Sequence, residues 1–339
     1  MANPYEHHPH YVPIIKWQLW EQRALSNVPP ADALRTLPCI EVRMPKQHKS
    51  MLENFAAVWK YPALVDYADP EGQLTAARIK ELQQFLKKKT GSFDLASPVL
   101  NPATAAVYFP LISGLLNDRK VTLRLRLASI AGAAPALPIV QAALLVPGLK
   151  ACTDRLIVDL CTTPNHSHAD ALALAGVLSA LKGLGFAHVH LASGSFPESL
   201  MHINGAGEVE RKDWKLFEAV SAVIPGTKLG FADYGPLNPN WTEKNLERRG
   251  GRAIIRYALD DKWRIIRGLN FTIAESIAIS TLMVGGYAHE FKGPAFSFGD
   301  KLISDRADPA VPLKDKKAGH YQISEFWTHH IAHVVKLQY

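Results

Sequence analysis

The chain has 339 residues, 38 Lys or Arg against 31 Asp or Glu, a formal charge of +7, and 47% hydrophobic against 20% charged residues. That length and balance allow a large core and exclude disordered and fibrous classes. The positive excess, spread without a dominant basic block, favours anionic ligands or partners only weakly.

The three cysteines, Cys39, Cys152 and Cys161, show no CxxC spacing. With no apolar signal segment at the start, a reducing, cytoplasmic setting is the default. Ala128 to Val146 is apolar but carries Pro135 and Pro138, so no membrane span is expected. Met1 to His10 is polar and reads as a frayed terminus, its histidines at 7, 8 and 10 included.

From there a strand grammar begins. Tyr11 to Lys16 reads as a first strand with Pro13 near its start, where a missing ladder donor matters least. A short helix over Glu21 to Leu25 follows, then strands over Leu37 to Arg43 and Ala63 to Tyr67. Leu74, Ile79, Leu82, Phe85 and Leu86 share one helical face, predicting a helix over Thr75 to Lys89. Its Lys87-Lys88-Lys89 end suits the helix dipole as a solvated cap. Asn101 to Gly114 fits either helix or loop. Val121 to Leu127 alternates strictly, so on a strand Leu123, Leu125 and Leu127 take one face and Thr122, Arg124 and Arg126 the other.

Arg155 to Leu160 is the next strand and brings Asp159. Ser167 with Asp170 opens a helix over Ala169 to Leu184 in the manner of a capping box. His188 to Ala192 leads into Ser193-Gly194-Ser195, Trp214 to Val223 is helical, and Leu229 to Ala232 delivers Asp233-Tyr234. Ala253 to Ile255 delivers Arg256-Tyr257, and Trp263 to Gly268 turns back. Near-continuous apolar runs separated by helices predict buried parallel strands. Eight of them, counting Ala253 to Ile255 as the last, predict an α/β fold of the (β/α)8 TIM-barrel kind over residues 11–291, with a helical and loop extension over 292–339 packed on it. That extension holds a Gly/Pro/charge-rich stretch and a closing helix from Ile323 to Val335.

In such a barrel the carboxyl ends of all strands meet at one mouth. The mouth is then expected to collect Lys16, Glu41, Arg43, Asp66, Arg124, Arg126, Asp159, Ser193, Ser195, Asp233, Tyr234 and Arg256. Arginines grip phosphate oxygens in a two-pronged geometry, while clustered carboxylates act as base or hold a divalent cation such as Mg²⁺. The reading assigns Asp233 or Asp159 as base or metal ligand, with Glu41 and Lys16 beside them. Arg256, Tyr257, Arg124, Arg126, Ser193, Ser195, Tyr234 and His330 are ligand contacts. The competing reading is mutual pairing, Lys16 with Glu41 or Arg256 with Asp233. Ser193-Gly194-Ser195 is not a GxSxG elbow. On the closing helix His329 and His333 share a face while His330 diverges, and no HExxH glutamate accompanies them. No zinc cluster, Walker loop or dinucleotide signature is present.

The chain resembles the Beta protein family of bacterial genomes, prophages and satellite phages. The resemblance rests on Tyr11 to Lys16, Pro38-Cys39-Ile40-Glu41, Ser193 to Pro197, Asp233-Tyr234-Gly235, Arg256-Tyr257, Trp263 to Gly268, Phe296 to Asp300 and His329-His330. It implies a place in mobile-element or phage-defence loci, one of which has such a protein countering a neighbouring toxic gene product. No settled chemistry comes with it. Two functions follow: a phosphate-recognising protein that hydrolyses a phosphoester or nucleotide, or a non-catalytic antitoxin-like regulator that binds a toxic or defence partner protein. Direct nucleic-acid binding through the overall charge is a third.

Overall fold

The computed structural model describes residues 9–69, 72–89, 91–224, 228–240, 251–317 and 322–339. The first eight residues, read above as frayed, lie outside the described residues.

Eleven strands are present among the described residues: β1 (Val12–Lys16), β2 (Cys39–Glu41), β3 (Ala63–Asp66), β4 (Ala96–Leu100), β5 (Val121–Arg126), β6 (Thr153–Thr162), β7 (His188–Gly194), β8 (Ala206–Glu210), β9 (Gly230–Asp233), β10 (Ile254–Ala258) and β11 (Lys262–Arg267). Eight of them close a barrel in the order β1-β2-β3-β4-β5-β6-β7-β9, and β10-β11-β8 form a separate sheet. Barrel neighbours are parallel throughout, with β9 returning to β1 through Val12 opposite Ala232. This is the expected (β/α)8 architecture.

Two strand assignments in the barrel count differ from the sequence reading, and β8, outside the barrel, is a strand that reading does not include. The Ala253 to Ile255 run is not the eighth barrel strand. It is β10 and pairs antiparallel with β11 outside the barrel, Arg256 facing Ile265. The place it was given in the count belongs to β4, whose Ser97 and Pro98 interrupt the apolar pattern and whose Val65–Pro98 register lies inside the ring.

The helices in chain order are α1 (Leu19–Ser26), α2 (Pro30–Ala33), α3 (Pro45–Val58), α4 (Ala76–Leu86), α5 (Ala105–Ile112), α6 (Ala136–Leu144), α7 (Leu149–Cys152), α8 (His168–Lys182), α9 (Lys212–Val223), α10 (Ile273–Thr281), α11 (Phe298–Ala307) and α12 (Gln322–His333). The ambiguous 101–114 stretch is a short turn running into α5. The capping box of α8 forms as read, Ser167 N–H donating to Asp170 at 2.8 Å and Asp170 N–H to the Ser167 hydroxyl at 3.2 Å. Among the described residues no helix is long and apolar enough to cross a membrane.

Alternation divides the apolar side chains into an inner and an outer core. Val12, Ile14, Cys39, Leu64, Val99, Ile157, Ala192, Ala232 and Tyr234 fill the barrel. Tyr11, Ile15, Ile40, Val65, Leu123, Leu125, Leu191 and Phe231 pack outward in the layer that the helices share. The tail contributes to that outer layer: Trp327, Ile331, Val334 and Val335 join it, and α12 packs against α1 and β10. The Tyr339 hydroxyl accepts from the backbone N–H of Phe231 at 3.0 Å, tying the last residue to β9. β8 lies in the connection after β7, and β10 and β11 in the connection after β9. Both leave from carboxyl ends, so the small sheet stands at the mouth end of the barrel.

Candidate anion site at the barrel mouth

The mouth cluster follows from register. Lys16 is opposite Glu41, and Glu41 opposite Asp66, so the last residues of β1, β2 and β3 form one row. Across the barrel Arg126 is opposite Asp159 on β6. Side chains in register on adjacent parallel strands share a face, and here that face is the interior.

Arg124 reaches the centre of this ring. Its Nη1 donates to Glu41 Oε1 at 3.0 Å and Asp66 Oδ2 at 2.7 Å, while Nε and Nη2 donate to Asp159 Oδ2 at 2.9 and 2.7 Å. The Tyr234 hydroxyl accepts from Arg124 Nη2 at 2.8 Å and donates to Asp159 Oδ2 at 2.7 Å. Asp159 Oδ1 accepts from the Cys161 N–H at 2.8 Å, where a bulge gives Cys161 a φ of 56°. Arg43 pairs with Glu41 at 2.5 Å, and Arg126 stands farther off, 3.4 Å from both Glu41 and Asp66. Arg124 and the three carboxylates are buried; Arg43 and Arg126 reach partway to solvent.

The electrostatics are those of a charge-balanced, dry cluster. Burial alone would raise the Glu41 carboxyl, but Arg43, Arg124, Arg126 and Lys16 hold it well below the usual carboxylate range. Burial opposes the charge on Arg124, and Tyr234, Asp159 and Glu41 more than restore it. Lys16 behaves differently: burial, with Arg43 nearby, pushes its amine down to about 7 against the pull of Glu41 and Glu21. A small pocket of about 20 Å³ opens beside this cluster, lined by Asp66, Ala68, Gly72, Leu74, Val99, Asn101, Arg124 and Arg126. That is room for about one water molecule.

A divalent cation does not fit these carboxylates, because the Arg124 guanidinium already lies among the oxygens that would ligate it. Among the described residues no group of three or more His, Cys, Asp or Glu is arranged to hold a metal ion.

The structure thus brings together Lys16, Glu41, Arg43, Asp66, Arg124, Arg126, Asp159 and Tyr234, and places the other expected members elsewhere. Ala232 and Tyr234 face inward, so Asp233 between them faces outward. There its Oδ1 accepts from the Tyr11 hydroxyl at 2.6 Å, and its Oδ2 meets His330 Nε2 at 2.7 Å. Ser193, opposite Asp233 in register, shares that outward face, and Ser195 donates to Asp213 on α9. Arg256 does not pair with Asp233; its Nη1 donates to the Pro236 carbonyl at 2.7 Å. Tyr257 points to the opposite face of its sheet, donating to Asp300 at 2.6 Å and stacking on His329 at 3.6 Å. On α12, His329 and His333 share a face as expected, their rings 5.9 Å apart and turned to Asp300 and Asp260, while His330 diverges to Asp233.

Two buried participants were not singled out from sequence. Arg211, just before α9, lies 3.9 Å from Asp233, and Asp213 beside it is raised to about 6 by burial and by Asp233, against the opposing charge of Arg211. No local periodicity marks them. Cys39, 3.9 Å from Arg124, was visible only as the inward neighbour of Glu41 by alternation.

A closed parallel barrel with a guanidinium-centred mouth and an appended antiparallel sheet makes this an α/β-barrel protein of the (β/α)8 kind. The chain belongs to the Beta protein family, whose profile matches residues 11–336. A comparison with curated proteins gives no match.

Proposed function

We propose that the barrel mouth recognises a small phosphoryl-bearing anion, held by Arg126 and Arg43 at the rim and by Lys16 once protonated. The observation that carries this reading is the gathering of Lys16, Arg43, Arg124 and Arg126 at the carboxyl end of a closed parallel barrel, where (β/α)8 proteins keep their ligand sites. Arg126 is the available clamp: its contacts at 3.4 Å are long for charge-assisted bonds and it is partly exposed. Recognition is favoured over hydrolysis because Glu41, Asp66 and Asp159 each already accept from Arg124, leaving Lys16 as the mouth group poised for proton exchange near neutrality.

The test is calorimetric titration with inorganic phosphate and with nucleoside phosphates. Binding is expected at pH 6.5, weakened about tenfold or more by Arg126→Ala, and weaker in the wild type at pH 8.5, where Lys16 is neutral. Equal affinity in wild type and Arg126→Ala, with the fold intact by circular dichroism, rejects the reading.

The small pocket, about 20 Å³, favours one alternative, a non-catalytic regulator that binds a toxic partner protein as antitoxins do. Stoichiometric copurification with a neighbouring gene product, undiminished by Arg126→Ala and without nucleotide turnover, would install that reading instead.

A further inference from the structure

Outside the mouth, the face of the β10-β11-β8 sheet turned toward the connection after β7 carries arginines without counter-charges. Ile254 is opposite Arg267 and Arg256 opposite Ile265 in the antiparallel ladder, so Arg256 and Arg267 are diagonal neighbours on one face. Such neighbours lie roughly 7–8 Å apart at the backbone, near enough for two long side chains to share a ligand.

Their surroundings are neutral. The Arg256 guanidinium lies between the rings of Phe196, 4.5 Å away, and Phe326, 5.4 Å away. Its Nη1 donates to the Pro236 carbonyl, and its Nε is buried without a hydrogen-bond partner. Arg267 donates to the Leu200 and Ile203 carbonyls. Among the described residues neither guanidinium has an ion-pair partner, whereas Arg264 on the same strand is tied to Glu208 and Glu290. Burial, with Arg267 nearby, pushes Arg256 down to about 10; burial and Arg252 likewise lower Arg267. Both residues are half-buried; the Arg256 guanidinium is the more enclosed, and Arg267 is the more open of the two.

We propose that Arg256 and Arg267 form a second anion site, distinct from the barrel mouth, that takes a phosphoryl group bridging the two guanidiniums. Three things favour phosphate. The planar fork of each arginine matches its oxygens. The aromatic walls fix the Arg256 plane, so little side-chain freedom remains to be lost on binding. The site is built from the connections after the seventh and eighth barrel strands, the region where (β/α)8 proteins commonly hold phosphate.

Pyrophosphate, which spans two guanidiniums, is the probe, titrated by calorimetry into the full chain, with inorganic phosphate as the shorter comparison. Arg126→Ala, which weakens the mouth, isolates the second site: pyrophosphate is still expected to bind in that background, and about tenfold or more weaker once Arg256→Gln or Arg267→Gln is added. Arg256→Lys should fail to restore binding, because an ammonium lacks the fork. Arg267→Gln carries the test should Arg256→Gln not fold. Unchanged affinity when Arg267→Gln is added to Arg126→Ala overturns the proposal, as does absence of binding to Arg126→Ala at millimolar pyrophosphate. The mouth reading stands or falls separately, on Arg126.

Discussion

At the scale of single residues, Arg124 is the side chain on which the mouth depends. It is the shared donor of Glu41, Asp66 and Asp159, all buried, and a buried ionic network broken on one side leaves charges with neither water nor partner. Arg124→Leu is expected to cost about 3–5 kcal/mol in urea unfolding, and Tyr234→Phe, which removes one bridging hydroxyl, about 1–2 kcal/mol. A loss under about 1 kcal/mol for Arg124→Leu would mean the carboxylates re-pair with Arg126 and Arg43. Lys16 supplies a pH signature. Its folded pKa, about 7, is depressed below its unfolded value, so its contribution favours folding above the unfolded pKa and is lost as pH falls through the folded one. Wild-type unfolding midpoints should therefore rise from pH 7 toward 9.5, and Lys16→Met should remove that part of the rise.

At the scale of elements, α12 is held where β9 ends. Gly235 has a φ of 54°, and a Cβ there would stand 2.5 Å from the Trp327 ring of α12. Gly235→Ala combines left-handed strain with overpacking and should cost roughly 2–4 kcal/mol, with faster hydrogen exchange at α12 amides than at β5 amides. Unaltered exchange at α12 would show that the helix is seated by its other contacts. The same elements show what was legible. Alternation placed Arg124 and Arg126 inside the barrel, because Leu123, Leu125 and Leu127 left no doubt about the outer face. That rule applied to Phe231-Ala232-Asp233-Tyr234 also turns Asp233 outward, but the run is too short and too apolar to reveal which face is which. β4 escaped notice because a proline normally argues against a central strand, yet Pro98 is accommodated there. β10 resembled a barrel strand because its Ala253-Ile255-Tyr257 face is buried beneath α10 and α11, so it too shows a dense apolar run. Composition does not distinguish a barrel strand from one in a covered sheet.

At the scale of the whole molecule, the parts are joined by buried histidines and carboxylates, and this sets the response to acid. Burial lowers His190, His330 and His333, the last to about 3, despite the carboxylates beside the α12 pair. A histidine whose folded pKa is depressed contributes stability above its unfolded pKa, near 6.5, that is lost as pH falls through the folded value. Asp213 acts in the opposite direction: raised to about 6, it takes up its proton first in the folded state and adds stability as pH falls from there toward the ordinary carboxylate range. Below pH 6.5 the unfolded chain therefore takes up protons on these histidines that the folded one resists, and stability falls with pH, Asp213 offsetting part of the loss. Below pH 4 the depressed carboxylates Glu41, Asp233 and Asp300 add to the loss. Urea unfolding across pH 5 to 7.5 should show stability already falling below pH 6.5. Asp213→Asn should steepen the slope by removing the opposing gain. Stability level down to pH 4.5 would mean these histidines are charged in the fold, with α12 bound to the barrel and the sheet by ion pairs instead of by neutral hydrogen bonds.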